Sequence, residues 1–356
     1  MVTLKEKKIG GRTYYYLGHT YRANGKVKYQ EVYLGTKKPK SNDLTALKND
    51  FVFAIYKERW FSRFDEIKEA YSKERRALPA EIEKKETERF AVQFTYDTNR
   101  IEGSRLTLRE TGALLERGTT PPGRPLSDIK EAEAHRKVFY EVLAYKKDLT
   151  MSIMLEWHRE VFEDTKPRIA GKLRDYQVGI SGSRFLPPSP VEIYPLLREF
   201  FRWYDREKAR MHPVELAALV HLRFVTIHPF GDGNGRISRL LMNFVLHKHG
   251  YPMLNIEYKN RSSYYTALER SQTKKNESIF VQWLFKKYLN ENERYAKISL
   301  KRNNLGQFPG MLGNGDAKKL QKTVSKIRKR ARSLNARMDI STKEWADDVK
   351  TTRKEQ

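Results

Sequence analysis

The stretch His228-Pro229-Phe230-Gly231-Asp232-Gly233-Asn234-Gly235-Arg236-Ile237-Ser238-Arg239 lies between two segments whose apolar residues recur at helical spacing. Upstream, Pro213 suits a first helical turn, and Leu216, Leu219 and Val220 follow it on one face. Downstream, Ile237, Leu240, Leu241, Phe244 and Val245 continue a second apolar face. The quoted run is therefore a loop feeding the N-terminus of a helix. Its alternating glycines let the backbone approach an anion closely, and the first N–H groups of the helix, with the positive end of its dipole, face that anion.

The side chains of the same run carry complementary chemistry. Arg236 and Arg239 are three residues apart and share a helix face. Both stand in the first turn, where positive charge is disfavoured by about 0.3–1 kcal/mol each, so a negative group should compensate. A polyphosphate held by two guanidinium forks would do so. Asp232 offers the hard oxygen ligand that magnesium shares with substrate phosphates, and His228 can act as a general base near neutral pH. Each piece has a plainer reading. A histidine before proline is often a turn residue, and Asp232 could cap the helix. Gly-x-Gly-x-Gly also resembles a dinucleotide loop, but the strand before it and the acidic residue about twenty positions later that such a loop requires are not evident. The coincidence of base, carboxylate, anion loop and two arginines points to phosphate chemistry.

Elsewhere the pattern is mainly helical. Thr107 with Glu110 and Asp128 with Glu131 form capping-box patterns, and Gly118 and Gly250 read as helix stops. Tyr176-Gln177-Val178-Gly179-Ile180-Ser181-Gly182 alternates like a short strand, turns near Gly182 and Ser183, and meets Pro187-Pro188, which predicts a hairpin flap. The N-terminal residues 1–39 predict a small antiparallel β unit with Tyr14 and Tyr16 in one strand, a tight turn at Asn24-Gly25, and Val27, Tyr29 and Val32 to Leu34 in the next. Pro39 and the polar residues after it mark a boundary, beyond which Leu44, Leu47, Phe51, Ile55 and Tyr56 take helical spacing.

The run from His228 to Arg239 resembles the signature of the Fic family of nucleotidyl transferases: His-Pro-Phe, one variable residue, Asp or Glu, then Gly-Asn-Gly-Arg and a second Arg. Met211 to His221, Gly171 to Pro188 and Arg261 to Leu268 are similar to family segments as well, so the likeness covers roughly residues 95–290. It implies a mainly α fold, with a Fic-type helical core, a small β-hairpin flap and the N-terminal antiparallel β unit as an addition. It also implies transfer of AMP from ATP, with Mg2+, to Ser, Thr or Tyr of a target protein, the chain itself included, and, for members with an inhibitory glutamate, removal of AMP from a modified target. In that reading His228 takes the hydroxyl proton and Asp232 holds the metal. Gly233, Asn234 and Gly235 bind phosphate oxygens, Arg236 holds the β-phosphate region, and Arg239 holds the γ-phosphate.

Thr98-Asn99-Arg100-Ile101-Glu102-Gly103 resembles the family's inhibitory helix, in which the glutamate pairs with the second arginine. Thr98 and Glu102 share a helical face, although a plain helix end capped by Gly103 would look the same. The resemblance also gives Tyr264 and Tyr265 to adenosine, where helical aromatic pairs are more often core. Gln272 stands where close relatives carry Asn, which leaves the base contact open. Gly182, Ser183, Arg184 and Phe185 are assigned to docking of the target chain as an added strand.

The resulting division is 1–39 β unit, 40–115 helical region containing motif 98–103, 116–297 catalytic core, and 298–356 basic segment. In that last segment Gly313-Asn314-Gly315 reads as a turn, and a basic run follows from Lys318 to Arg337. With 70 lysines and arginines against 44 acidic residues in 356, the net charge is +26, which predicts attraction to polyanions. A nucleic-acid-binding regulator with an accessory Fic site, or a Fic enzyme transferring phosphoryl or phosphocholine, therefore stands beside protein adenylylation. The absence of cysteine excludes disulfides and thiol chemistry. No apolar leader or long apolar run is present, so the expectation is a cytoplasmic protein without membrane attachment, and a homodimer is left open.

Overall fold

The computed structural model describes residues 2–23 and 26–295. The Asn24-Gly25 turn and the whole basic segment from residue 298, including Gly313-Asn314-Gly315, lie outside the described residues. Described residues up to Phe61 form one compact unit and those from Ser62 onward another.

In the first unit, β1 (Val2–Ile9), β2 (Arg12–Ala23) and β3 (Lys26–Gly35) form an antiparallel sheet in the order β1-β2-β3. The sequence reading anticipated β2 and β3 but not β1, whose charged residues hide the alternation. What turns β1 into β2 is Gly10-Gly11, both at positive φ (56° and 74°), the geometry of a tight hairpin turn. One sheet face buries Val2, Leu17, Val32 and Leu34 against Leu47, Phe51, Ala54 and Ile55 of helix α1 (Ser41–Ala77).

The second unit is helical. After α2 (Ala80–Ile101), α3 (Leu108–Arg117), α4 (Leu126–Ala144), α5 (Met151–Phe162) and α6 (Pro190–Glu207) come the central pair α7 (Pro213–Ile227) and α8 (Asn234–Lys248), then α9 (Arg261–Thr273) and α10 (Glu277–Glu291). Helix α7 is apolar nearly all round and is buried accordingly, packed against α6, α8 and α10. Helix α8 lies against α2, α4 and α5, and is buried almost throughout despite Arg236, Ser238, Arg239 and Asn243. Each of those side chains finds partners, although Arg236 Nε is buried without one: Asn243, for example, accepts from Leu254 N at 2.8 Å and donates to Leu254 O at 3.0 Å.

Several predicted signals are realised locally. Thr107 and Glu110 form a reciprocal capping box, and Gly118 ends α3 in the left-handed conformation at φ 68°. His212 caps α7 with Pro213 in its first turn. The second predicted box is not one. Helix α4 begins earlier, after Pro125, so Asp128 accepts instead from Arg105 N at 2.6 Å and Glu131 turns inward. The flap differs too: residues 176–188 form no strand ladder, only irregular chain with bends at Tyr176 and Arg184 and a turn at Ser181-Gly182.

Candidate active site

His228 ends α7 in the left-handed region at φ 53°, a costly conformation for a residue with a Cβ. It redirects the chain into the loop that starts α8. Its Nδ1 lies 3.2 Å from Val225 O; a carbonyl only accepts, so Nδ1 carries the proton and Nε2 is left as the basic nitrogen. Burial pushes the imidazole pKa below its ordinary value, with Arg174 acting in the same sense. A neutral ring at neutral pH follows.

The loop is built by its own side chains. Asn234 accepts from Phe230 N at 2.9 Å and donates to Phe230 O at 2.8 Å, so its amide closes the loop instead of facing a ligand. Asp232 accepts from Gly233 N at 2.5 Å. Phe230 is fully buried, as expected for an anchor, and stacks on His158 at 3.5 Å between ring centroids. His158 accepts at Nδ1 from Gly171 N (2.9 Å), so its Nε2 donates to Asp232 O (3.0 Å).

Arg174 ties the loop to the flap. It donates from Nε to His228 O (2.8 Å), from one terminal nitrogen to Tyr176 O (2.8 Å) and from the other to Pro188 O (2.6 Å), while its backbone N donates to Pro229 O. Gln177 spans the flap to Pro187 O at 3.0 Å. The flap's backbone groups are thus held by side chains. At the tip, Gly182 takes φ 73°, Ser183 accepts from Phe185 N, and the exposed Arg184 reaches Glu269 at 3.3 Å.

At the start of α8 every cation meets an anion. Arg236 pairs with Glu131 and, at 3.1 Å, with Asp232. Lys166 bridges the same two carboxylates at 2.9 and 2.7 Å. Burial alone would raise the Asp232 carboxyl, but Arg236 and Lys166 outweigh it and hold the pKa at about 2. Burial likewise opposes ionisation of Glu131, and Arg236 and Lys166 again keep it below the usual carboxylate range. Arg239 is fully buried; Glu102 at the end of α2 reaches it at 2.6 Å and raises its pKa against the effect of burial. Thr98 completes the cradle, its hydroxyl accepting from Arg239 Nε at 3.3 Å and its carbonyl from a terminal nitrogen at 3.1 Å.

The Glu102 carboxylate also fills the space beside Gly235, where any Cβ would collide with it. It sits where the unpaired N–H groups of the new helix favour an anion. Asp232 suits a divalent ion: its carboxylate is ionised and a cationic group, Lys166, already stands against it. Among the described residues no group of three or more His, Cys, Asp or Glu is arranged to hold a metal. The donor set therefore fits a magnesium shared with phosphates, not one caged by protein alone.

The predicted residues His228, Asp232, Gly233, Asn234, Gly235, Arg236, Arg239, Thr98 and Glu102 are thus brought to one place. Tyr264 is buried core, its hydroxyl 3.3 Å from Arg239 and 3.0 Å from His221, whereas Tyr265 is 45% exposed and donates to Ile101 O. Gln272 donates to Thr226 Oγ1 at 3.1 Å, so its amide is spent within the helix packing. Sequence reasoning missed Glu131, His158, Lys166 and Arg174. Only Glu131 had carried a signal, as a capping partner.

A mostly helical unit with this loop between two central helices is a Fic-type architecture, and the comparisons agree. The Fic/DOC family model matches residues 148–246. The crystal structure of a Fic-domain-containing signalling protein from Bacteroides thetaiotaomicron superposes with a TM-score of 0.58 at 32% identity, covering 66% of this chain and 97% of that one. Fic-1 from C. elegans gives 0.60 at 28% identity, covering 70% and 74%. The protein adenylyltransferase Fic of Culex quinquefasciatus is 36% identical over 217 residues, and that of Drosophila ananassae is 39% identical over 181. The chain belongs to the Fic/DOC family. It spans 43% and 36% of those two relatives' lengths.

Proposed function

We propose that the chain transfers AMP from ATP to a serine, threonine or tyrosine hydroxyl of a protein, and that Glu102 restrains it. The observation that carries this reading is the Glu102 carboxylate itself. It already occupies, on Arg239 and over Gly235, the place where a terminal phosphate would sit. Similarity to proteins named protein adenylyltransferase Fic supports AMP as the transferred group.

In this mechanism His228 Nε2 accepts the proton of the target hydroxyl while Val225 O holds the other side of the ring. The hydroxyl oxygen bonds to the α-phosphorus, the bond to the pyrophosphate oxygen breaks, and pyrophosphate leaves. The N–H groups opening α8, with Arg236 and Arg239, stabilise the phosphate charge that develops. Magnesium would neutralise the phosphates when bound, and Asp232 is the residue that would hold it. Asn234 contributes by fixing the loop. Seating the triphosphate requires Glu102 to leave Arg239.

Mass spectrometry tests the proposal directly. Glu102→Gly incubated with magnesium and ATP labelled at the α-phosphate, together with candidate target proteins, should gain one AMP and its label, on itself or on a target. Addition of His228→Ala should abolish the gain. Label arriving only from the γ-phosphate would replace AMP transfer with phosphoryl transfer.

A further inference from the structure

The face of the N-terminal sheet opposite its core has no role in the chemistry above, and its composition is unusual for a solvent face. Alternation places Lys5 and Lys7 of β1, Tyr14 and Tyr16 of β2, and Tyr29 and Tyr33 of β3 on that side, since Leu17, Val32 and Leu34 point to the other. Three of the rings meet across β2 and β3. Tyr16 lies 5.3 Å from Tyr33, and Tyr14 lies 6.1 Å from Tyr33. Gly18 makes room for the fourth ring beside β2, because a Cβ there would collide with the Tyr29 hydroxyl. Lysine ammonium groups cap two of the rings, Lys5 over Tyr29 at 4.5 Å and Lys7 over Tyr16 at 4.4 Å.

We infer that this face binds single-stranded nucleic acid. Tyrosine is common in strands because it packs well there. That explains single rings better than four of them on the face turned away from the core. Seven lysines and arginines against two glutamates between residues 2 and 35 make the unit a partner for a polyanion. Unpaired bases present π-faces that stack on such rings without regard to sequence, whereas a duplex hides them. A base arriving on Tyr29 or Tyr16 displaces the capping ammonium, which is then free to meet the adjoining phosphate. Glu31 tempers the charge by pairing with Lys7 at 2.5 Å, and leaves Lys5 as the stronger phosphate contact.

Fluorescence anisotropy with the full chain tests this, using a labelled mixed-sequence single strand of DNA, the same strand in a duplex, and heparin as a stacking-free polyanion. The single strand should bind at least tenfold tighter than the duplex. Tyr16→Ala with Tyr29→Ala should weaken it at least tenfold while leaving heparin binding unchanged, and the corresponding Phe pair should bind like the parent. Lys5→Gln with Lys7→Gln keeps the rings and should lower the slope of log affinity against log salt by ~1. Equal binding of strand and duplex, or Ala and parent proteins with the same affinity, would overturn the inference. Should the Ala pair not fold by circular dichroism, an unchanged salt slope in the Gln pair would overturn it as well.

Discussion

Replacing Glu102 should change nucleotide affinity and stability in opposite directions, because the same carboxylate neutralises Arg239 in the free protein and, in the proposed mechanism, would exclude a phosphate from it. The contact is a charge-assisted hydrogen bond of 2.6 Å to a guanidinium with no exposed surface. Such bonds contribute about 1.5–3 kcal/mol, which converts to roughly 10- to 150-fold in affinity for a ligand that must displace one. Removing one partner of a buried pair typically costs about 3–5 kcal/mol. Here Arg239 keeps Thr98 O, Thr98 Oγ1 and Tyr264 OH, and the Glu102 side chain is 27% exposed. The loss should therefore lie at or below the lower end of that range. For a unit of this size a loss near 3 kcal/mol lowers the unfolding midpoint by roughly 5–10 °C. Glu102→Gln separates charge from volume, and Glu102→Gly removes both. Calorimetric titration should show ATP binding Glu102→Gln about tenfold tighter than the parent, with a smaller gain for ADP, which lacks the terminal phosphate. Thermal unfolding should show the variant less stable alone and stabilised more than the parent by saturating ATP. The reasoning fails if ATP binds both proteins equally, or if ADP gains as much as ATP.

Three further outcomes follow from the same geometry. Lys166→Met should bind Mn2+ up to about fivefold more tightly by electron paramagnetic resonance, because a half-exposed ammonium no longer competes for Asp232; unchanged affinity would mean that it does not compete. Arg174→Ala should cost about 3 kcal/mol in urea unfolding by orphaning three carbonyls at once, and Lys, which lacks the fork, should not restore it. The buried histidines set the acid limits: His158 is held at about 4 and His135 at about 3, both below the ordinary 6.5 of the unfolded chain. Their contribution is complete above pH 6.5 and is lost as pH falls toward 4. Each removes about 1.4 kcal/mol per pH unit in that window, which urea midpoints at pH 7 and pH 5 measure. His228 is lowered by burial too, and Glu102 opposes that shift. The acid limb of Glu102→Gly activity should therefore fall below 6.5, and a limb above it would contradict a buried neutral base.

What could be read from the sequence is what the chain keeps local. The loop from His228 to Arg239 is contiguous and its spacing announces phosphate chemistry, whereas Thr98 and Glu102, which share one turn of helix, are singled out by the family resemblance. The supporting shell is not local. Glu131 meets Arg236 across 105 residues, Lys166 meets Asp232 across 66, and Arg174 meets His228 across 54. None has a periodicity that distinguishes it from a surface charge. Asp128 and Glu131 have the spacing of a cap, but Pro125 starts the helix earlier, and burial then recruits Glu131 to a guanidinium. The alternation at residues 176–182 predicts a strand that does not form; the guanidinium of Arg174 and the amide of Gln177 take backbone carbonyls on both arms of the flap, at Tyr176 and at Pro187 and Pro188.

In the proposed mechanism the charges around α8 account for the choice of Glu102 as the restraint. Arg236, Arg239 and Lys166 face Glu131, Asp232 and Glu102, so the free site is already neutral and a triphosphate must displace an anion to enter. Glu131 lies inside α4 with almost no exposure and holds two cations, and Asp232 is bound by its own loop as well as by two cations. Glu102 holds one. It stands at the end of α2, followed by Gly103 at φ 102°, and its 27% exposed side chain can turn outward while the buried Thr98, Asn99 and Ile101 of the same turn stay in place. Of the three carboxylates it is the one that a stronger anion can expel without dismantling the loop that positions His228.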